Sequence, residues 1–379
     1  MDRVDPINIK PTKFHYSQSV SQSVSQSVKS GFAWFNYRCF FWHRFDNPSN
    51  FQEFMMQPSR FVRAAFAALA VLSLPSVAQA QAWPAKPIRL IVNFPAGGSP
   101  DVVARAIATP LAAALGQPVV IDNRSGAGGI VGADAAAKAA PDGYTILLSS
   151  GSAMSIVPHI VPKLPFDPVK DFVSVAAGAR LELFLVARSE QPFKNYAELI
   201  KHAKANPGKL SYGSPGNGTS PHIAGEMMKS QAGIFAVHIP YRGAAAALLD
   251  LLSGNVDYVF DPGIAFEHIR SGKLRLLAVG SVKRSSLYPN TPTLAELGLK
   301  GFDTGTTHGF WAPAGTPPAI VERLNREINR AVALPAVAET IRRLGAEPTP
   351  ISPSEFGAVI QADSVRYAQV IKERKITQD

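Results

Sequence analysis

The chain has 379 residues, with 38 Lys/Arg against 28 Asp/Glu and a formal charge of +10. Its single cysteine, Cys39, rules out an internal disulfide framework and leaves no thiol nucleophile or cysteine-held metal in everything downstream. The basic residues are scattered and not interleaved with aromatics, which argues for a solvated basic surface and against a nucleic-acid partner, while favouring an anionic ligand.

The first 54 residues carry three tandem Ser-Gln-Ser-Val units (Ser17–Val28) and an aromatic cluster around Phe32–Phe45. The repeat has no periodic apolar face, so 1–54 reads as a disordered extension or as sequence upstream of the true start at Met55 or Met56. Residues 55–81 have the order of a secretory signal: Arg60 and Arg63, the apolar run Ala64–Leu74, and Ala78-Gln79-Ala80 as a small-x-small cleavage site. An apolar core of that length is too short to span a bilayer, which takes about 20 residues. Cleavage near Ala80 or Ala82 would release an exported protein of two ordinary lobes.

Downstream, Ile88–Phe94 reads as a buried strand, Asp101–Leu115 as a helix, Pro118–Asp122 as a strand, Ile130–Ala140 as a helix and Tyr144–Leu148 as a strand. Continuous apolar strands alternating with helices predict a parallel sheet covered on both faces. A second such unit runs from the strand Leu183–Ala187 to the strand Leu274–Val279. The chain then crosses Phe310–Ala312 into helices at Pro318–Ala333, Val337–Leu344 and Pro353–Lys375. Two α/β units joined by crossovers predict a bilobed clamshell that hinges near Val186 and Gly309, with its ligand at strand-to-helix turns.

Those turns are rich in glycine and hydroxyls. Phe94 leads into Pro95–Asp101, where Gly97 and Gly98 allow close backbone approach and Ser99, Pro100 and Asp101 suit a helix start. Ser149–Ser152 supplies hydroxyls, including Ser150 and Ser152. Gly213–Ser220 supplies Ser214, Gly216, Asn217, Gly218 and Thr219 ahead of a helix that carries His222 and Glu226. Further turns are Tyr241-Arg242-Gly243 and Asp261-Pro262-Gly263. Helix N-termini and hydroxyls drawn from both halves of the chain suit a carboxylate held by neutral donors. Gly126, Gly128 and Gly132 lie in a strand-to-helix turn but lack the spacing and the downstream acid of a dinucleotide fingerprint. There is no nucleophile elbow, no HExxH and no P-loop, and His222 with Glu226 lacks a third metal ligand. Neither a catalytic centre, a metal nor a cofactor is expected.

The mature chain resembles the solute-binding receptors of tripartite tricarboxylate transporters, the Bug receptor family. The likeness rests on Trp83–Ile88, Phe94–Asp101, Asn123–Gly129, Pro141–Tyr144, Leu164–Pro168, Pro207–Leu210, Tyr212–His222, Pro240–Gly243, Ser271–Arg275, Thr291–Glu296 and Ala312–Pro317, in that order. The resemblance implies an α/β, two-lobed periplasmic-binding-protein fold of the Venus-flytrap, type II-like kind. Lobe 1 would comprise 82–186 and 308–379, and lobe 2 would comprise 187–307. It implies a periplasmic, monomeric receptor that captures a small organic carboxylate (a di- or tricarboxylate, amino acid or aromatic acid) and delivers it to a two-component membrane permease. A sensor serving a membrane histidine kinase and a secreted α/β hydrolase are the alternatives. Gly97–Asp101 and Ser214–Thr219 would grip a ligand carboxylate from opposite lobes, Ser150 and Ser152 would line the cleft, and Asp261 would face its distal part. The sequence departs from the family pattern at Val157, Arg180, Glu182, Asp261-Pro262-Gly263 and Thr306–Trp311. Arg180 would either pair with a second ligand carboxylate or sit on the surface beside Glu182.

Overall fold

The computed structural model describes residues 83–377, so the upstream extension and the signal segment lie outside the described residues. The first lobe opens with β1 (Ile88–Val92), α1 (Ser99–Leu115), β2 (Val119–Asn123), α2 (Ile130–Ala137), β3 (Thr145–Ser149), the short α3 (Ser152–Ser155) and β4 (Phe172–Leu181). The second lobe follows as β5 (Phe184–Arg188), α4 (Tyr196–Ala205), β6 (Ser211–Ser214), α5 (Ser220–Ala232), β7 (Val237–Pro240), α6 (Ala244–Ser253), β8 (Tyr258–Asp261), α7 (Phe266–Arg270) and β9 (Leu274–Val279). The chain then returns through β10 (Thr306–Pro313), α8 (Pro318–Ala333), α9 (Pro335–Arg342), β11 (Ala346–Pro348) and α10 (Pro353–Arg374).

Among the described residues the strands form two sheets, ordered β11-β4-β10-β3-β1-β2 and β7-β6-β8-β5-β9. Neither is purely parallel, which corrects the sequence expectation. β2, β1 and β3 run parallel, as do β7, β6 and β8, but β10 is antiparallel to β3 and β4, and β5 is antiparallel to β8 and β9. The reversed strands are those by which the chain passes between lobes, where no crossover helix imposes a parallel return. β4 carries Ala-Ala-Gly-Ala at its centre and has little of the β-branched signal that marks strands, yet it packs between β10 and β11.

Both sheets are buried on two faces. Along β5, Leu185 and Ala187 enter one core while Phe184 and Val186 enter another; along β10, Phe310 and Ala312 face one core and Trp311 the opposite one. The passage from the first sheet to the second takes place at Glu182-Leu183, between β4 and β5. The 186/187 boundary therefore falls inside a second-sheet strand.

α10 starts on the first lobe, where a capping box joins Ser352 to Glu355 and Phe356 lies 4.8 Å from the Trp311 ring. It ends with Tyr367 and Ile371 in the core of the second. On the way it ties down both crossings. Asp363 accepts from Arg180 Nη1 at 2.7 Å, Arg180 also donates to Thr307 Oγ1 at 3.1 Å, and Arg366 donates to the carbonyls of Asp303 and Gly305. Arg180 thus faces neither a ligand nor Glu182; it is committed to the C-terminal helix.

Candidate functional site

A cleft of about 260 Å³ opens between the lobes. Its floor is the two crossings, Leu181 and Leu183 on one and Thr306 and His308 on the other. Its walls are turns that lead into helices: Phe94–Ala96 and Gly98–Pro100 before and at the start of α1, Ser150 and Ser152 around α3, Pro215 and Thr219–Pro221 at α5, and Arg242–Ala246 at α6. The N-caps of α1, α5 and α6 are Gly98, Thr219 and Gly243, and none of the three provides a side-chain hydrogen bond to its helix. At α6 the first-turn amides keep donor capacity; α1 and α5 each have a proline in the first turn, and Ser220 N–H of α5 donates to Ser152 Oγ at 3.4 Å, while all three helix dipoles add positive potential on the same space.

Two glycines let the lobes meet here. Gly243 has φ +132°, and a Cβ on it would lie 2.8 Å from Pro95 of the opposite lobe. Gly128 has φ +63°, and a Cβ there would collide with the Asn217 carbonyl oxygen. A second cavity of about 230 Å³, lined by Gly126–Gly129, Gly216, Asn217 and Tyr241, adjoins the cleft at Phe94, Pro95, Pro215 and Arg242.

Of the residues singled out in the sequence, Phe94, Gly98, Ser99, Ser150, Ser152 and Thr219 line the cleft, and Gly216 and Asn217 line the adjoining cavity. Gly97 is exposed beside the cleft, and Asp101, Ser214, Gly218, His222 and Asp261 are buried outside its lining. Asp101 is 2% exposed and accepts from Gly97 N–H at 3.0 Å, Asn123 Nδ2 at 3.0 Å and Arg105 Nε at 2.8 Å. Burial works against its charge, but these donors outweigh it and hold the carboxyl below the usual range. Ser214 meets His238 Nε2 at 2.7 Å, and His222 Nδ1 accepts from Gly218 N–H at 3.3 Å, with its ring stacked 4.3 Å from that of His238. Asp261 does not face the cleft. Its carboxylate turns back to accept from Gly263 and Ala265 N–H at 2.7 and 3.0 Å, and burial pushes it up to about 6.

Sequence reasoning missed His308, Leu181, Leu183, Thr306 and the start of α6. His308 is 2% exposed; its Nε2 lies 2.9 Å from Ser99 Oγ, and burial drops its pKa to about 3, so the ring is neutral. Beside it, the buried Ser150 hydroxyl has no hydrogen-bond partner among the described residues. The Tyr241-Arg242-Gly243 turn was a usable signal for α6, since it repeats the glycine-then-helix pattern. Nothing local marks Leu181 or Leu183. No cluster of His, Cys, Asp and Glu able to hold a metal occurs among the described residues, and no helix among them is long and apolar enough to cross a membrane.

This architecture agrees with what the chain is similar to. Residues 103–376 match the model of the tripartite tricarboxylate transporter family receptor, TctC. The chain belongs to this family. It is 40% identical over 308 residues to Protein BugT of Bordetella pertussis, covering 80% of this chain and 94% of that one. Among solved structures, the periplasmic binding protein BugD shares 34% identity at a TM-score of 0.74, with coverage of 78% and 100%. A protein of R. palustris solved with adipate shares 33% at 0.75 (78% and 99%), and MatC of Rhodopseudomonas palustris with bound malate shares 31% at 0.73 (76% and 100%). The two-lobed fold is that of the TctC and Bug solute-binding receptors. These are receptors and not enzymes, so the hydrolase reading is set aside.

Proposed function

We propose that this TctC-family receptor captures a small organic carboxylate between its lobes and hands it to a two-component permease in the membrane. The observation that carries the reading is the convergence of three uncapped helix starts, at Gly98, Thr219 and Gly243, with the unpartnered Ser150 hydroxyl on one cleft that has no acidic side chain in its lining. Such a wall offers N–H and O–H donors to an oxyanion with Arg242 as its one formal charge, and the neutral His308 beside Ser99 adds a polar group that does not compete for it. The malate and adipate of its relatives support a carboxylate ligand here. Residues 55–81 would export the chain to the periplasm.

Titration calorimetry on protein stripped by unfolding and refolding tests the capture step. Micromolar or tighter binding of an acid, recovered chemically unchanged, is expected; silence with mono-, di- and tricarboxylates would overturn it. Deleting the gene should abolish uptake of that labelled acid by cells. Intact uptake together with a lost transcriptional response would favour the histidine-kinase sensor instead.

A further inference from the structure

Arg242 is the one formally charged side chain among the described residues that line the cleft or the adjoining cavity, and it belongs to both linings. The protein pairs its other arginines almost throughout. Among the described residues only Arg242, Arg342 and Arg374 donate no side-chain hydrogen bond, and the last two stand on α9 and α10, outside either lining. Asp250, the acid on the helix that follows, accepts from Tyr241 Oη at 2.6 Å. The backbone under Arg242 is fixed while its side chain is exposed. Tyr241 N–H donates to the Ser214 carbonyl at 2.9 Å, and Gly243 abuts Pro95 of the opposite lobe.

A guanidinium with no acceptor of its own has all its N–H donors available to a ligand. Resting on the carboxylate reading above, we infer that Arg242 sets the charge preference of the cleft: it pairs with a second carboxylate of the ligand, so that a dicarboxylic acid binds more tightly than its own monoamide. The first carboxylate goes to neutral donors, the Ser150 hydroxyl, on a residue 8% exposed and without a partner, and the first-turn amides of α6. Ser150 and Arg242 line one cavity of about 260 Å³, a space that a small acid fills, so one molecule reaches both. A guanidinium meets a carboxylate in a two-bond fork that a neutral carboxamide matches only in part. Because Arg242 is exposed, solvent and salt screen the pair, and its effect on affinity is several-fold.

Succinate, adipate and terephthalate, each beside its monoamide, form pairs alike in shape that differ by one charge. Calorimetry on the stripped, refolded full chain should give the best-fitting dicarboxylate about fivefold tighter binding than its monoamide at low salt, with the gap narrowing as salt is added. Arg242→Gln should cut that ratio to about twofold or less by weakening the dicarboxylate alone. The monoamide affinity and the unfolding midpoint should stay as in the parent, since the Arg242 side chain holds no hydrogen bond among the described residues. Arg242→Lys should restore part of the ratio. A ratio that survives Arg242→Gln, or a monoamide that binds the parent as tightly as its dicarboxylate, would overturn the inference and leave the carboxylate receptor standing. An equal loss for both members of a pair would make Arg242 the anchor of the first carboxylate and overturn the charge preference. Diamides binding as well as monoamides would instead overturn the carboxylate anchor, and absence of binding by all of them would overturn both.

Discussion

Each lobe buries one aspartate at a turn beside the cleft, and the two are held in opposite ways. Asp101, in the first turn of α1, is met by a guanidinium, a side-chain amide and a backbone amide. Asp261, at the end of β8, is met by backbone amides alone, in a fully buried setting. The first is kept ionised and the second is driven toward its protonated form. The difference shows that burial alone does not decide the charge of a turn aspartate; a cation within reach does. It also shows why both were plausible ligand contacts by residue type and neither lines the cleft. Each carboxylate is consumed in shaping its own turn.

Four measurements sharpen or break this contrast. Asp261→Asn has the largest expected effect. Its carboxyl titrates near 6 when folded against an ordinary 3.8, so the folded state holds more proton between those values and stability falls as pH rises from about 4 to 6. Two units correspond to about 3 kcal/mol at most. Asn can accept the same backbone bonds without a charge, so the variant should be more stable than the parent at pH 8 and should lack that limb in urea titrations. A destabilised variant with the limb intact would show that the wrong group was assigned. Asp101→Asn should act in the other direction, costing about 2 kcal/mol at pH 7 through lost charged hydrogen bonds. Its pKa is lowered on folding, so the stability it contributes is present above the ordinary range and disappears as pH falls below about 4. The cost should therefore vanish in acid. Ser150→Ala should leave stability within about 0.5 kcal/mol, since its hydroxyl has no partner among the described residues. Ligand affinity, by contrast, should fall several-fold. Arg105→Ala, which removes a half-exposed cation from the buried Asp101 carboxylate, should cost about 0.5 kcal/mol once solvent screening is allowed for, and less in high salt. A loss as large as that of Asp101→Asn would make the guanidinium the main support of the turn.

Much of the cleft was legible from residue type because its walls are strand-to-helix turns. Ser99, Ser152 and Thr219 each stand where a helix begins, and glycines next to helix starts mark places where backbone approaches something closely. The floor was not legible. Leu181 and Leu183 come from one crossing, and Thr306 and His308 from the other, on β10 between β3 and β4. Their part in the site exists only because residues more than a hundred positions apart lie side by side.

The sequence by itself determined the alternation of strands and helices, the two-unit plan and the glycine-and-hydroxyl turns, because those depend on periodicity and on conformational preferences of neighbouring residues. Tertiary structure decided the antiparallel crossing strands, the commitment of Arg180 to Asp363, and which hydroxyls and carboxylates face the cleft. Direction of pairing and choice of partner are settled by long-range packing. Whether a polar group is available to a ligand depends on the donors and acceptors that folding places around it, as Asp101 and Ser150 show from opposite sides.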